Sequence, residues 1–173
     1  MKLPRFLLYP LHRRAEKLME SRDPDFIIGG KENPYLLRWW IIPRNRFFNI
    51  YLHRFLRSDD DRALHDHPWA NVSLLLEGAY FEHRPEGVFM RHAGQIVLRR
   101  PTARHRVELL RDYRYQVAER SHYREKPVLT LFITGPKVRE WGFWCKQGFV
   151  HHKDFTDPND PGGVGPGCGE GGK

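Results

Sequence analysis

The sequence predicts an all-β barrel or sandwich, on three observations. From Tyr35 onward the chain breaks into short runs of β-branched, aromatic and apolar residues, of strand rather than helix length. Gly and Pro punctuate these runs at close spacing, at Pro43, Gly78, Pro85-Glu86-Gly87, Gly94 and Gly135-Pro136. Over residues 49–56 the pattern alternates. Tyr51, His53 and Phe55 fall on one side; Ile50, Leu52, Arg54 and Leu56 fall on the other.

A short helix is expected before the strands. In residues 11–19, Leu11, Ala15, Leu18 and Met19 share one face and His12, Arg13, Glu16 and Lys17 take the opposite one. Residues 21–25 end it, with Pro24 as the stop, and Gly29-Gly30 marks a turn. Strands are then expected over residues 35–42, 49–56, 71–77, 80–83, 88–91, 95–98, 105–109, 113–118, 128–134 and 141–145. An acidic loop, Asp59-Asp60-Asp61, lies between the second and third. From Asp157 the composition turns to Gly and Pro without large apolar residues, so a disordered tail is expected. The chain thus divides into an N-terminal helical extension (1–34), a barrel (35–156) and a tail (157–173).

The 173 residues suit one domain, and 40% of them are hydrophobic, enough for a core. No apolar run approaches the roughly 18 residues of a membrane helix. Residues 1–10 lack the long apolar stretch and cleavage site of a signal peptide. Two cysteines, Cys145 and Cys168, make no disulfide framework, and a reducing cytoplasm is the simplest expectation. The net charge is +8, but Asp and Glu are interleaved with the basic residues. That predicts a basic surface, without nucleic acid or membrane as a dedicated partner.

The most informative stretch is His65-Asp66-His67-Pro68. Histidines at i and i+2 point to one face of an extended segment. His105 arrives later, after Gly94 and Pro101. Three imidazoles leave positions open on a metal, which suits catalysis rather than a closed structural site. Asp66 lies between the two and points away from them, as a loop anchor.

These residues resemble the cupin family of double-stranded β-helix (jelly-roll) barrels. His65 and His67 match the His-x-His of the first cupin motif, and Gly78 its hairpin glycine, eleven residues after His67. Gly94, Pro101 and His105 match the second motif in order, with two spacings one residue off. Asn71 stands where the motif has a glutamate. Phrases such as Leu52-His53-Arg54-Phe55, His65-Asp66-His67-Pro68-Trp69 and residues 135–143 are similar to those of uncharacterised cupin-like proteins from bacteria and phages.

The resemblance implies a centre of His65, His67 and His105, with Asn71 as a weak fourth ligand. Fe(II) is the expected metal; Zn, Mn or Ni also suit nitrogen ligands. Without the glutamate the centre keeps its full charge, as in three-histidine dioxygenases, and favours a small anionic substrate. Arg139, after the Gly135-Pro136 turn, is the expected anion clamp. His53 is expected to line the interior. The alternatives are a non-redox cupin, such as a sugar isomerase or epimerase with His53 as base, and a non-catalytic binding module. Many cupins form homodimers. His151 and His152 are adjacent, so in a strand they would point apart and chelate poorly.

Overall fold

The computed structural model describes residues 1–59, 63–117, 120–157 and 165–169. Helix α1 (Arg5–Ser21) comes first. It begins six residues before the expected start. Leu7 and Leu8 donate to the Pro4 carbonyl at 3.1 and 3.0 Å, and the added turns bring Leu8 onto the core beside Leu11, Leu18 and Met19. Pro10 sits inside the helix on its exposed side. Its missing N–H costs one rung, and the half-buried Leu8, Leu11 and Leu18 offset that, each by a part of the about 1.5–3 kcal/mol of full burial.

The strands follow as β1 (Phe26–Ile28), β2 (Leu36–Trp40), β3 (Asn49–Phe55), β4 (Leu64–His65), β5 (Asn71–Glu77), β6 (Ala79–Arg84) and β7 (Gly87–His92). Next come β8 (Ile96–Arg99), β9 (Arg106–Leu109), β10 (Arg111–Val117), β11 (Arg120–Glu125), β12 (Val128–Thr134), β13 (Gly142–Cys145) and β14 (Gly148–His151), then a single helical turn, α2 (His152–Phe155).

One sheet has the order β1-β2-β3-β12-β5-β8. Opposite it, β7-β6-β9 is continued by the His65–His105 bridge into β4, which carries β13 and β14. The chain crosses repeatedly between the two: β3, β5, β8 and β12 belong to the first sheet, β4, β6 and β9 to the second. That alternation is the double-stranded β-helix, so the expected fold class holds.

Side-chain alternation sorts the sheet into two faces. Leu52, Leu74, Leu76 and Leu129 point outward and form one core with Trp39 and Ala15 of α1. Leu75, Tyr80, Val107, Leu109 and Val128 form a second core inside the barrel. Toward the other end the inner face turns polar, through Thr130, Ser73, Asn71 and Thr134. The two motif glycines stand where the chain crosses between the sheets, Gly78 from β5 to β6 and Gly94 from β7 to β8. Gly78 has φ +82°, and a Cβ there would stand 2.9 Å from the Pro127 carbonyl. Gly94 has φ +88° and a Cβ would meet the Leu3 carbonyl at 3.2 Å.

One expectation is corrected, and others fall partly outside the described residues. The expected strand at 113–118 is β10, paired with β11 as a hairpin; Ala118 lies outside the described residues. The charged run at 120–125 gave no apolar alternation from which to read β11. Asp60 and Asp61 of the acidic loop also lie outside the described residues. So do 158–164 and 170–173 of the tail. Cys145 and Cys168 are joined by a disulfide, which ties residues 165–169 to the β13–β14 hairpin. No described helix is long and apolar enough to cross a membrane.

Candidate metal centre

His65 closes β4, and its backbone exchanges two hydrogen bonds of 2.9 Å with His105. His67 follows in the next loop, where its N–H donates to the Pro101 carbonyl at 3.2 Å. The motif proline thus clamps the second histidine. Ring nitrogens of His65, His67 and His105 lie within 4.8 Å of one another. His67 Nε2 and His105 Nε2 are 2.9 Å apart.

Burial dominates the electrostatics. Desolvation is the first cause in each case, lowering the pKa of His65 and holding His67 and His105 well below 6.5. Arg99 adds to the depression of all three. The rings are therefore neutral at pH 7, the state that ligation requires, and His67 Nε2 and His105 Nε2 share a hydrogen bond that a metal would replace. Three neutral imidazoles converging on one point fit a divalent ion such as Fe(II), Zn, Mn or Ni, by donor type and spacing.

Behind the triad stands a buried charge network absent from the sequence reading. Glu82 is fully buried on β6. It accepts from Arg99 Nε at 2.8 Å and Arg91 Nε at 2.8 Å. Burial would raise its pKa, but the two guanidiniums outweigh it and the carboxyl sits below its usual value. Burial likewise opposes charge on Arg99, and Tyr80 and Glu82 more than compensate. The sequence signal for this network was a charged residue at the inward position of two alternating strands, Glu82 after Tyr80 and Arg99 after Val97.

The other expected residues take definite places. Asn71 is buried on the inner face, where its Oδ1 accepts from Arg99 NH1 at 3.4 Å and its Nδ2 has no partner among the described residues. The oxygen a metal would use therefore faces Arg99. Arg139 is committed elsewhere: NH1 donates to Asp66 Oδ2 at 2.6 Å and to the Pro101 carbonyl at 3.2 Å. Asp66 also accepts from Gly142 N and Trp144 Nε1, at 3.0 and 3.2 Å, and so anchors the loops around the triad. His53 is buried on the inner face of β3 and stacks on Phe132 with centroids 5.0 Å apart. Desolvation, then Arg38 and His67, hold its pKa well below 6.5.

His151 and His152 correct the geometric expectation. His151 ends β14 and His152 begins α2, so the strand rule for adjacent side chains does not apply. Their ring centroids are 4.4 Å apart, and both Nε2 atoms reach Glu140 Oε2, at 3.2 and 3.9 Å. Lys137 and then His151 lower the exposed Glu140 carboxyl to about 2. Two surface grooves lie away from the triad. One, of about 380 Å³, is lined by Glu16, Met19, Arg54, Glu77 and Leu129 beside α1.

No family model matches the chain, and no curated protein matches it. Among solved structures, the chain is similar to an uncharacterised conserved protein with a double-stranded β-helix domain from Klebsiella pneumoniae. The identity is 14%, over 66% of this chain and 89% of that one, with a TM-score of 0.46. It is similar to a cupin-2 domain-containing protein from Shewanella frigidimarina at 12%, over 57% and 78%, with a TM-score of 0.41. A cupin superfamily protein from Desulfitobacterium hafniense matches at 13%, over 63% and 84%, with a TM-score of 0.44. The fold assignment rests on the strand order above, independently of these likenesses.

Proposed function

We propose that this chain is a metal-binding cupin, a mononuclear non-haem metalloenzyme of the dioxygenase type acting on a small anionic molecule. The observation that supports it is the convergence of three neutral imidazoles, His65, His67 and His105, inside the barrel mouth. Fe(II) bound there supplies Lewis acidity and O₂ activation. The chain's own residues do the rest. Asp66 and Pro101 hold the loop that carries His67, and Glu82 stands beside His105. Arg99 and the other buried cations leave the region positive, which favours an anion.

The test is elemental analysis of untagged protein purified without chelator, followed by O₂ uptake with iron restored. Stoichiometric metal supports the centre; no metal under any loading condition removes it. The isomerase reading needs His53 as a base. Its Nε2 already accepts from Arg38 Nε at 2.8 Å, so that lone pair is engaged.

A homodimer belongs to this reading, to be checked by sedimentation. A cytoplasmic location belongs to it only if Cys145 and Cys168 are reduced in the cell, since disulfides persist in oxidising compartments. Thiol titration of freshly lysed cells decides that.

A further inference from the structure

Arg38 of β2 lies opposite His53 of β3, so the two side chains share the inner face of the sheet. Nε of Arg38 donates to His53 Nε2 at 2.8 Å, and the guanidinium carbon stands 4.9 Å from the Tyr51 ring centroid. Neither partner is a carboxylate. Nε is the one guanidinium nitrogen that donates to a described residue. Desolvation lowers the Arg38 pKa to about 10, Tyr51 and Tyr35 favour the charge, and Arg44 opposes it. No carboxylate among the described residues enters this balance. The group is still a cation at neutral pH.

Three other arginines near the triad are paired with carboxylates, while Arg104, next to His105, stacks on Trp144. Arg99 and Arg91 share Glu82, and Arg139 holds Asp66. A half-buried guanidinium without a carboxylate partner is costly in a fold that supplies carboxylates to its neighbours. Its NH1 and NH2 form a planar fork, the geometry that carboxylates accept in bidentate fashion.

We infer that the NH1–NH2 fork of Arg38 is the anchor for a substrate carboxylate, with His53 and Tyr51 holding the fork in place. Phe132 links this anchor to the triad. Its ring lies 5.0 Å from that of His53 and 6.1 Å from that of His67. The Arg38 charge also depresses the pKa of His67, so anchor and triad share one electrostatic environment. A single guanidinium balances a single negative charge. The ligand class is therefore a small monocarboxylate whose far end carries an atom able to reach the triad. This deepens the metalloenzyme reading by placing its substrate, yet the anchor itself needs no metal.

The test uses the metal-free full chain and acetate as the probe, followed by the arginine side-chain Nε–Hε resonances. Acetate should shift the Arg38 resonance saturably, and inorganic phosphate should shift it less. Arg38→Met should abolish saturable acetate binding. Arg38→Lys, which keeps charge and loses the fork, should weaken it by about tenfold or more. His105→Ala should leave acetate binding within about twofold of wild type, since it touches only the metal reading. If Arg38→Met is poorly folded, Arg38→Lys carries the comparison. Acetate binding unchanged in Arg38→Lys, or no saturable shift in wild type, overturns the anchor. Acetate binding at Arg38 in a protein that takes up no metal would sink the metal centre and leave the anchor standing.

Discussion

His105 Nδ1 lies 3.6 Å from Glu82 Oε1, while its Nε2 stands 2.9 Å from His67 Nε2. One nitrogen of the ring thus faces a carboxylate and the other faces the triad. At that distance the carboxylate makes no hydrogen bond to the ring, and His105 Nδ1 is buried without a hydrogen-bond partner among the described residues. Asn71 stands where the cupin motif has a glutamate, and Glu82 of β6 lies beside His105.

Glu82 also balances Arg99 and Arg91, so its removal should be severe. Glu82→Gln leaves two cations without their carboxylate, one of them buried. The expected loss is about 3–5 kcal/mol, read from urea denaturation of the metal-free protein. Glu82→Met combined with Arg99→Met should recover much of that loss. A Glu82→Gln protein as stable as wild type would mean that the pair contributes nothing.

Metal retention should depend on each triad member. His65→Ala and His105→Ala should each weaken metal binding by more than the roughly 10–100-fold typical of disturbing groups that merely support a ligand. Circular dichroism should show the barrel intact. Full metal content in both variants would put the ion somewhere else, with the Glu140–His151–His152 cluster as the first place to look.

Asn71→Glu should not create a tight four-ligand centre. The new carboxylate meets Arg99, whose NH1 already contacts Asn71 Oδ1. Metal affinity, measured by competition with a chromogenic chelator, should stay within about threefold of wild type. A rise of about tenfold or more would show that position 71 faces the metal.

Acid should destabilise the metal-free protein from about pH 6.5 downward. His53, His65, His67 and His105 all have folded pKa values below 6.5, with burial the first cause. Below 6.5 the unfolded chain binds protons that the folded chain refuses, so stability rises with pH through this window and falls as pH drops. Each such histidine contributes a slope of about 1.4 kcal/mol per pH unit. Urea midpoints between pH 7.5 and 5 provide the measurement (a range chosen around the ~6.5 reference value). His53→Gln should flatten the curve by one proton; a flat wild-type curve would mean that these rings protonate freely in the fold.

Cutting the chain after Thr156 should be felt only under oxidising conditions. The disulfide joins residues separated by 23 positions, a loop whose closure is worth roughly 3 kcal/mol by chain entropy. Cys168→Ser and the truncated chain should lose that much, and a reductant should bring wild type down to meet them. Identical midpoints with and without reductant would show the link to be immaterial.

Much of this fold was legible because its signals are local. Residues 49–55 alternate cleanly, since one face of β3 packs under α1 and the other lines the barrel. His65, His67 and His105 stood out because two share a face and a glycine and a proline set the approach of the third. Glu82, Arg99 and Arg38 were hidden, because a charge in a strand ordinarily marks the solvent face. Their partners lie on other strands, and only the folded sheet brings them together. The Arg139–Asp66 pair was hidden for the same reason, since the carboxylate that meets Arg139 NH1 lies 73 positions away in the chain. His151 and His152 escape the strand rule because they straddle a strand–helix junction.

The place of β12 bears on how the protein is made. This strand lies between β3 and β5, with Val128 opposite Phe55 and Thr134 opposite Asn71. On the ribosome, β3 and β5 emerge long before their shared neighbour. Their facing edges, with a row of open N–H and C=O groups, wait until Thr134 has cleared the exit tunnel. The nascent chain therefore holds two sticky edges while residues 78–134 are added, a period in which chaperones have most to do and prematurely released fragments aggregate.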